Sequence, residues 1–381
     1  MTKIYWRPRA VSKTALMLIS VLSLGGLILV ENIRVEKKQD MSKEKLLASE
    51  KAMKAFTIIR EARIATGEPI DLINDPANTG LIGIPMSPIT SISGALEAKQ
   101  TSVNPNFAAV LIDMLNEAGV KEGDTVAVGM SGSFPALNAA VCCALETMKI
   151  KPLIISSASA SQWGANVPAL TWLDMERLLH EAGLISFRSF AATIGGHDDT
   201  GQGLSKEGLQ LIAEAIERNG VPLLEKKDSF EAIIDQRMDQ FNRKAEGQSI
   251  KAYLNIGGGT VSVGRSIGKN LFKPGLNTRS PVGVKKVDGV MSRFIQKKVP
   301  VIHLVQVLDL AKKYEMTATP ASLPEVGKAN VFSSRGYSKI ACVAVLVTIL
   351  GSLFAFIRSD FASRLLHKTA SPKDSTPEPM V

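Results

Sequence analysis

Residues 125–155 read TVAVGMSGSFPALNAAVCCALETMKIKPLII. Thr125 to Gly129 is a short apolar run, the pattern of a buried strand. Pro135 to Met148 is a helix with proline at its first position, where the missing N–H is no loss. Pro152 to Ile155 is a second buried strand. A glycine- and serine-rich loop joins the first strand to the helix.

The alternation continues on both sides. Asn104-Pro105 opens a helix to Ala118 with Gly119 as its stop, Thr171 caps a helix to Ala182-Gly183, and Arg188–Thr193 reads as a strand. Ser205 caps a helix to Asn219, Val221–Leu224 is extended, and Phe230–Ala245 is helical. Tyr253–Ile256 and Val299–Leu304 are strands, and Val305–Tyr314 is a helix. Strands alternating with helices imply an α/β domain over residues 104–330, a mostly parallel, Rossmann-like sheet with helices on both faces.

The chain ends differ from this middle. Residues 14–30 and 340–357 are uncharged and apolar. At about 1.5 Å per residue they reach roughly 26–27 Å, enough to cross a locally thinned bilayer. Two transmembrane helices are therefore expected. Lys+Arg counts flanking the spans balance, so orientation rests on the N-terminal tail 1–13, which carries Lys3, Arg7, Arg9 and Lys13 and no acid. Such a tail resists crossing against the membrane potential. The expectation is a cytoplasmic tail 1–13, a cytoplasmic disordered tail 358–381 and an extracytoplasmic α/β domain. Residues 31–66 read as a charged helical stalk and 67–103 as a Gly/Pro/Ser/Thr-rich connection, together a stalk-and-connection segment 31–103.

A chain of 381 residues with 5% aromatics, three cysteines and 45 Lys+Arg against 36 Asp+Glu is not collagen-like, disulfide-scaffolded, wholly disordered or a many-span transporter. Cys142 and Cys143 are adjacent and poorly placed to bridge each other. Cys342 lies in the second span. An outer domain without disulfides fits a bacterial envelope.

Three loops can carry chemistry. In Gly129-Met130-Ser131-Gly132-Ser133-Phe134-Pro135, amides at a strand-to-helix turn can hold an anion, with Gly129, Gly132 and Ser133 as its frame. The pattern also approaches the G-x-S-x-G nucleophile elbow, with Ser131 as nucleophile and Ser133 in place of the last glycine. In Gly195-Gly196-His197-Asp198-Asp199, Gly196 permits close approach of a ligand. His197 would serve Ser131 as base, with Asp198 or Asp199 as orienting acid. No second histidine stands at ligand spacing, so no metal site is assigned. Asn255-Ile256-Gly257-Gly258-Gly259-Thr260 is similar to the phosphate loop of actin-like ATPases, which have Asp where this chain has Asn255. Gly257, Gly258 and Gly259 are kept as ligand-binding candidates, and no cofactor is implied.

Charge supplies the last feature. Residues 265–298 hold nine cations and one acid, Asp288, for a net +8. Lys285, Lys286, Lys297 and Lys298 are the candidate contacts for an acidic polymer or anionic headgroups. No aromatic interleaving supports nucleic acid.

The terminal spans, the three glycine loops and their order resemble the bacterial poly-gamma-glutamate system protein family, membrane proteins encoded with the machinery that makes and exports poly-γ-glutamate. The resemblance implies a process and partners, namely the polymer, the membrane-bound synthase and export subunits, and the lipid bilayer. It does not imply a reaction. It makes sense of the basic segment, since the polymer carries one carboxylate per residue. The expected role is an accessory subunit of poly-γ-glutamate synthesis or export at the bacterial cell membrane. The alternatives are a serine-type hydrolase or amide transferase acting on the polymer, and an envelope protein with a small-molecule cleft.

Overall fold

The computed structural model describes residues 13–358 and divides at Lys37/Lys38 and Ser333/Ser334. The tails expected at 1–13 and 358–381 lie outside the described residues, apart from Lys13 and Arg358 at the helix ends.

The chain ends form one unit. Helix α1 (Lys13–Asn32) packs beside helix α13 (Lys339–Arg358). Gly26 permits this approach, because a Cβ there would run into the Val345 side chain. Strands β1 (Arg34–Lys38) and β10 (Ser333–Tyr337) pair as a two-stranded ladder. Tyr337 Oη donates to Glu31 Oε1 at 2.8 Å, and the Arg34 guanidinium lies over the Tyr337 ring while pairing with Glu31. Among the described residues one helix, Lys339–Phe356, is long and apolar enough to cross a membrane. The apolar stretch of α1, Leu16–Asn32, is shorter.

The second unit, Lys38–Ser333, is α/β. It opens on helix α2 (Ser42–Ala65), strand β2 (Thr90–Ile92), and helices α3 (Leu96–Ser102) and α4 (Phe107–Glu117). Strand β3 (Thr125–Ser131), helix α5 (Pro135–Thr147), strand β4 (Lys151–Ser157) and the short strand β5 (Ala160–Ser161) follow. Next come helix α6 (Trp172–Glu181), strand β6 (Ala191–Thr193), helices α7 (Lys206–Arg218) and α8 (Phe230–Lys244) and strand β7 (Ile250–Ile256). The unit closes with the one-turn helices α9 (Thr260–Val263) and α10 (Arg265–Gly268), strand β8 (Gly275–Asn277), helix α11 (Val290–Gln296), strand β9 (Val301–Leu304) and helix α12 (Val307–Lys313).

The six-stranded sheet runs β6-β4-β3-β7-β9-β8, parallel except for the β8 edge. The predicted elements thus assemble as a mostly parallel sheet flanked by helices. Successive side chains of a strand point to opposite faces. Accordingly Val126, Val128 and Met130 of β3 enter the core under α2, α4 and α5, whereas Ala127 enters the core under α8 and α11. Strand β7 divides the same way, with Leu254 on one side and Tyr253 on the other. Tyr253 stacks on Phe294 at a ring separation of 4.8 Å, and Phe241 meets both edge-on.

Two expectations about residues 31–103 are corrected. The charged helix is not a stalk, because α2 is an integral layer of the α/β unit. Ala48, Ala52, Ala55, Phe56 and Ile59 are buried against α4 and α5, while Leu46, Leu47 and Ile64 are exposed. The small alanines form the contacting stripe and allow the helices to approach closely. Lys45 is buried there and donates to Asp113 Oδ1 at 2.6 Å and to the Val331 carbonyl at 3.1 Å. The presumed connection is also ordered. Asn166 accepts from the Ile84 N–H and donates to the Ile84 carbonyl, at 2.9 and 2.7 Å, and β2 pairs in parallel with β5.

Candidate functional site

In an open parallel sheet the strand order reverses where the chain changes direction of growth, and the carboxyl ends of the strands leave a crevice there. Here β4 and β6 lie on one side of β3, and β7 and β9 on the other. A cleft of about 530 Å³ opens at this edge. That volume is in the range of small-ligand sites.

Its floor is rich in hydroxyls. Ser131 ends β3 and Ser157 ends β4, and Ser159 and Ser161 follow on alternate positions. Ser91 and Ser93 come from the segment around β2, and Gly195, Gly196, Gly258, Gly259 and Thr260 from the loops after β6 and β7. All three candidate loops therefore reach this cleft.

The Ser131–His197–Asp198 triad is not assembled. Ser131 and His197 both line the cleft, but among the described residues no hydrogen bond joins them. Ser131 Oγ instead accepts the Ser133 N–H at 3.2 Å. Gly195, Gly196, Asp198 and Asp199 all have φ between 51° and 85°, a left-handed run that splays the two acids apart. Asp198 Oδ2 takes two hydrogen bonds from Arg265, at 3.0 and 2.6 Å, and lies 3.5 Å from His197 Nε2. Asp199 pairs with the buried Arg237. Both carboxylates are committed to arginines, and His197 is half exposed.

The Gly129–Pro135 loop is a tight turn whose amides are used internally. Gly132 N–H donates to the Ser157 carbonyl at 3.2 Å, Ser133 N–H to Ser131 Oγ and Phe134 N–H to the Ser131 carbonyl at 3.4 Å, while Pro135 has none. The expected anion cradle is therefore filled by its own loop. Gly129 serves packing: a Cβ there would lie 2.5 Å from Tyr253 Oη. At Gly257 the amide donates to the Leu304 carbonyl at 3.0 Å and the carbonyl accepts from Asn255 Nδ2 at 2.6 Å. Gly258 and Gly259 face open space.

Two further residues line the cleft. His303 on β9 is buried, and the Asn255 side-chain amide faces its Nδ1 at 3.0 Å. That donor leaves the imidazole proton on Nε2. Burial, opposed weakly by the Asn255 backbone, lowers the pKa to about 4, so the ring is neutral. Asn255 Nδ2 is thus spent on the Gly257 carbonyl and His303 Nδ1.

The second is Lys99 on α3, only 2% exposed. Its Nζ donates to the Ser133 carbonyl and to Ser161 Oγ at 2.9 Å, and lies 3.7 Å from the Phe134 ring centre. Burial pushes its pKa down to about 7. A sequence signal for the serine wall existed: Ser157-Ala158-Ser159-Ala160-Ser161 alternates, and period two puts the serines on one face. For Lys99 and His303 no local signal existed, since each is brought in by an element distant in sequence.

The basic segment does not converge on the cleft. Lys285, Lys286, Lys297 and Lys298 are exposed elsewhere, and only Lys269 of the nine cations lines the cleft. Arg265 and Arg293 are neutralised, by Asp198 and by Asp288 with Asp235. Among the described residues no three His, Cys, Asp or Glu side chains gather at metal-binding range. The chain matches no protein-family model, no curated protein and no solved structure.

Proposed function

We propose that the protein is a membrane-tethered accessory subunit of poly-γ-glutamate synthesis or export, and that its α/β cleft holds a segment of that carboxylate-bearing polymer. The observation that carries this reading is the donor set of the cleft. Serine hydroxyls, Thr260, Lys269 and Asn270 face it, and its one lining carboxylate, Asp199, is already paired with Arg237. Such a surface offers hydrogen bonds and positive charge to an anion without a competing free acid. The exposed lysines of 265–298 add a long-range field that draws a polyanion to the unit.

The α13 helix supplies membrane association, and α1 the proposed second span. The termini then lie in the cytoplasm and the α/β unit outside, where proteolysis of intact spheroplasts would degrade it. The direct test is calorimetric titration of the detergent-purified full chain with γ-linked glutamate oligomers. Binding that weakens with salt, and weakens further in Lys269→Glu, is expected. No heat of binding at low salt would remove the polymer from the cleft.

A further inference from the structure

Lys99 is buried and, among the described residues, has no carboxylate partner. The described salt bridges leave it unpaired, and its polar neighbours are the Ser133 carbonyl and the Ser161 hydroxyl. Ser161 is itself 5% exposed and lines the cleft together with Lys99. Ser133 Oγ accepts the Ser161 N–H at 3.0 Å and donates to no described protein atom, so its proton is free for a ligand oxygen.

We propose that Ser161 is a nucleophile and Lys99 its general base, and that the cleft performs acyl transfer on an amide- or ester-linked carboxylate chain. Serine–lysine pairs replace serine–histidine pairs on several unrelated scaffolds, because an amine held near a hydroxyl and kept unprotonated accepts its proton. The amine here is kept so by burial, which brings its pKa to about 7 rather than the usual lysine value. The groups facing it are Ser133, Ser161 and the Phe134 ring, and the other titratable groups lining the cleft are His197, Asp199, Lys269 and His303. Ser131, by contrast, has no base hydrogen-bonded to its hydroxyl among the described residues.

In the first step the Ser161 proton, directed at the Gln162 carbonyl at 3.3 Å in the resting structure, turns to Lys99 Nζ, 2.9 Å from Oγ, as Oγ bonds to the acyl carbon and the carbonyl electron pair moves onto oxygen. Collapse breaks the carbon–nitrogen bond, and the Lys99 ammonium gives its proton to the departing nitrogen. An acyl-serine and a free amine result. Water then adds to the acyl carbon with Lys99 again accepting a proton, and the Ser161–acyl bond breaks to return the hydroxyl and release a carboxylate. That the amide is a γ-glutamyl one rests on the polymer-binding reading above; the assignment of nucleophile and base does not.

The test uses the detergent-purified full chain and a fluorophosphonate, which marks activated serines and carries no glutamate. Peptide mass mapping should place the adduct on Ser161, with a labelling rate that rises through an inflection near pH 7. Ser131→Ala should keep the adduct, and Ser161→Ala should lose it. Lys99→Met should slow labelling by about 100-fold or more. Lys99→Arg retains positive charge and donors but cannot deprotonate, so it should be as slow, whereas a merely structural lysine would be rescued. No adduct in the unaltered protein, an adduct on Ser131, or an unchanged rate in Lys99→Arg would overturn the proposal. Failure of labelling leaves polymer binding intact, and failure of polymer binding leaves the adduct, so the two ideas fall separately.

Discussion

The side-chain amide nitrogen of Asn255 lies 3.0 Å from Nδ1 of His303, and the two residues are in register on adjacent parallel strands. The same amide donates to the Gly257 carbonyl. One asparagine therefore sets the tautomer of a buried imidazole and closes the glycine turn.

Replacing Asn255 by aspartate removes both donors and places a carboxylate against the Gly257 carbonyl oxygen. Asn255→Asp should cost about 1–3 kcal/mol in denaturant unfolding. It should also raise the His303 titration from about 4, because an adjacent negative charge favours imidazolium. Imidazole resonances followed by NMR against pH report the shift, and an unmoved titration would separate the two residues.

Gly195 has φ +85°, and a Cβ there would collide with Ser159 Oγ on the cleft wall. Gly195→Ala should destabilise the α/β unit by about 1–3 kcal/mol through the left-handed backbone alone. It should also displace Ser159, so that ligand affinity falls in molecules that remain folded. Thermal melting and calorimetry measure the two effects separately.

Glu176 on α6 is fully buried and accepts from the Ser189 N–H and hydroxyl, at 3.0 and 2.8 Å. Burial raises its pKa from 4.5 to about 7. Between those values the unfolded chain has released this proton and the folded chain has not. Its contribution is therefore complete below about pH 4.5 and is lost as pH rises through about 7. Relative to Glu176→Gln, the protein should lose on the order of 3 kcal/mol across that window and nothing further above it. Urea midpoints at a series of pH values test the direction, and a pH-independent difference would contradict it.

Reversing Lys285, Lys286, Lys297 and Lys298 together to glutamate should act from a distance, since none lines the cleft. Polymer binding should weaken about tenfold at low salt and converge with the unaltered protein near 1 M salt, where screening is short-ranged. Lys269→Glu, inside the cleft, should remain weaker at both. Equal salt dependence of the two variants would show that the basic segment contributes no field.

Much of the architecture was legible locally. The Ser205 cap is visible in the local sequence, and its hydroxyl accepts from Gly208 N–H at 3.0 Å. The Thr171 start is a full capping box with Asp174, whose carboxylate also accepts from the Thr171 N–H at 2.7 Å. These signals lie within one turn of chain, so sequence spacing reports them. The stalk failed because periodicity shows that a helix has an apolar face but not what covers it. Here the buried stripe of α2 combines Ala48, Ala52 and Ala55 with Phe56 and Ile59, and its cover comes from α4 and α5.

What the sequence determined by itself is the order of strands and helices and the placement of glycine and serine loops at strand ends, because propensity, caps and period-two alternation act over a few residues. Only the tertiary structure decided which side chains meet. Asp198 is held by Arg265 and Asp199 by Arg237, while Lys99 meets Ser161 and Asn255 meets His303, each pair drawn from separate segments of the chain. Pairings of that kind depend on sheet order and on which polar group finds a partner when water is excluded, and neither is written in the spacing of residues along the chain.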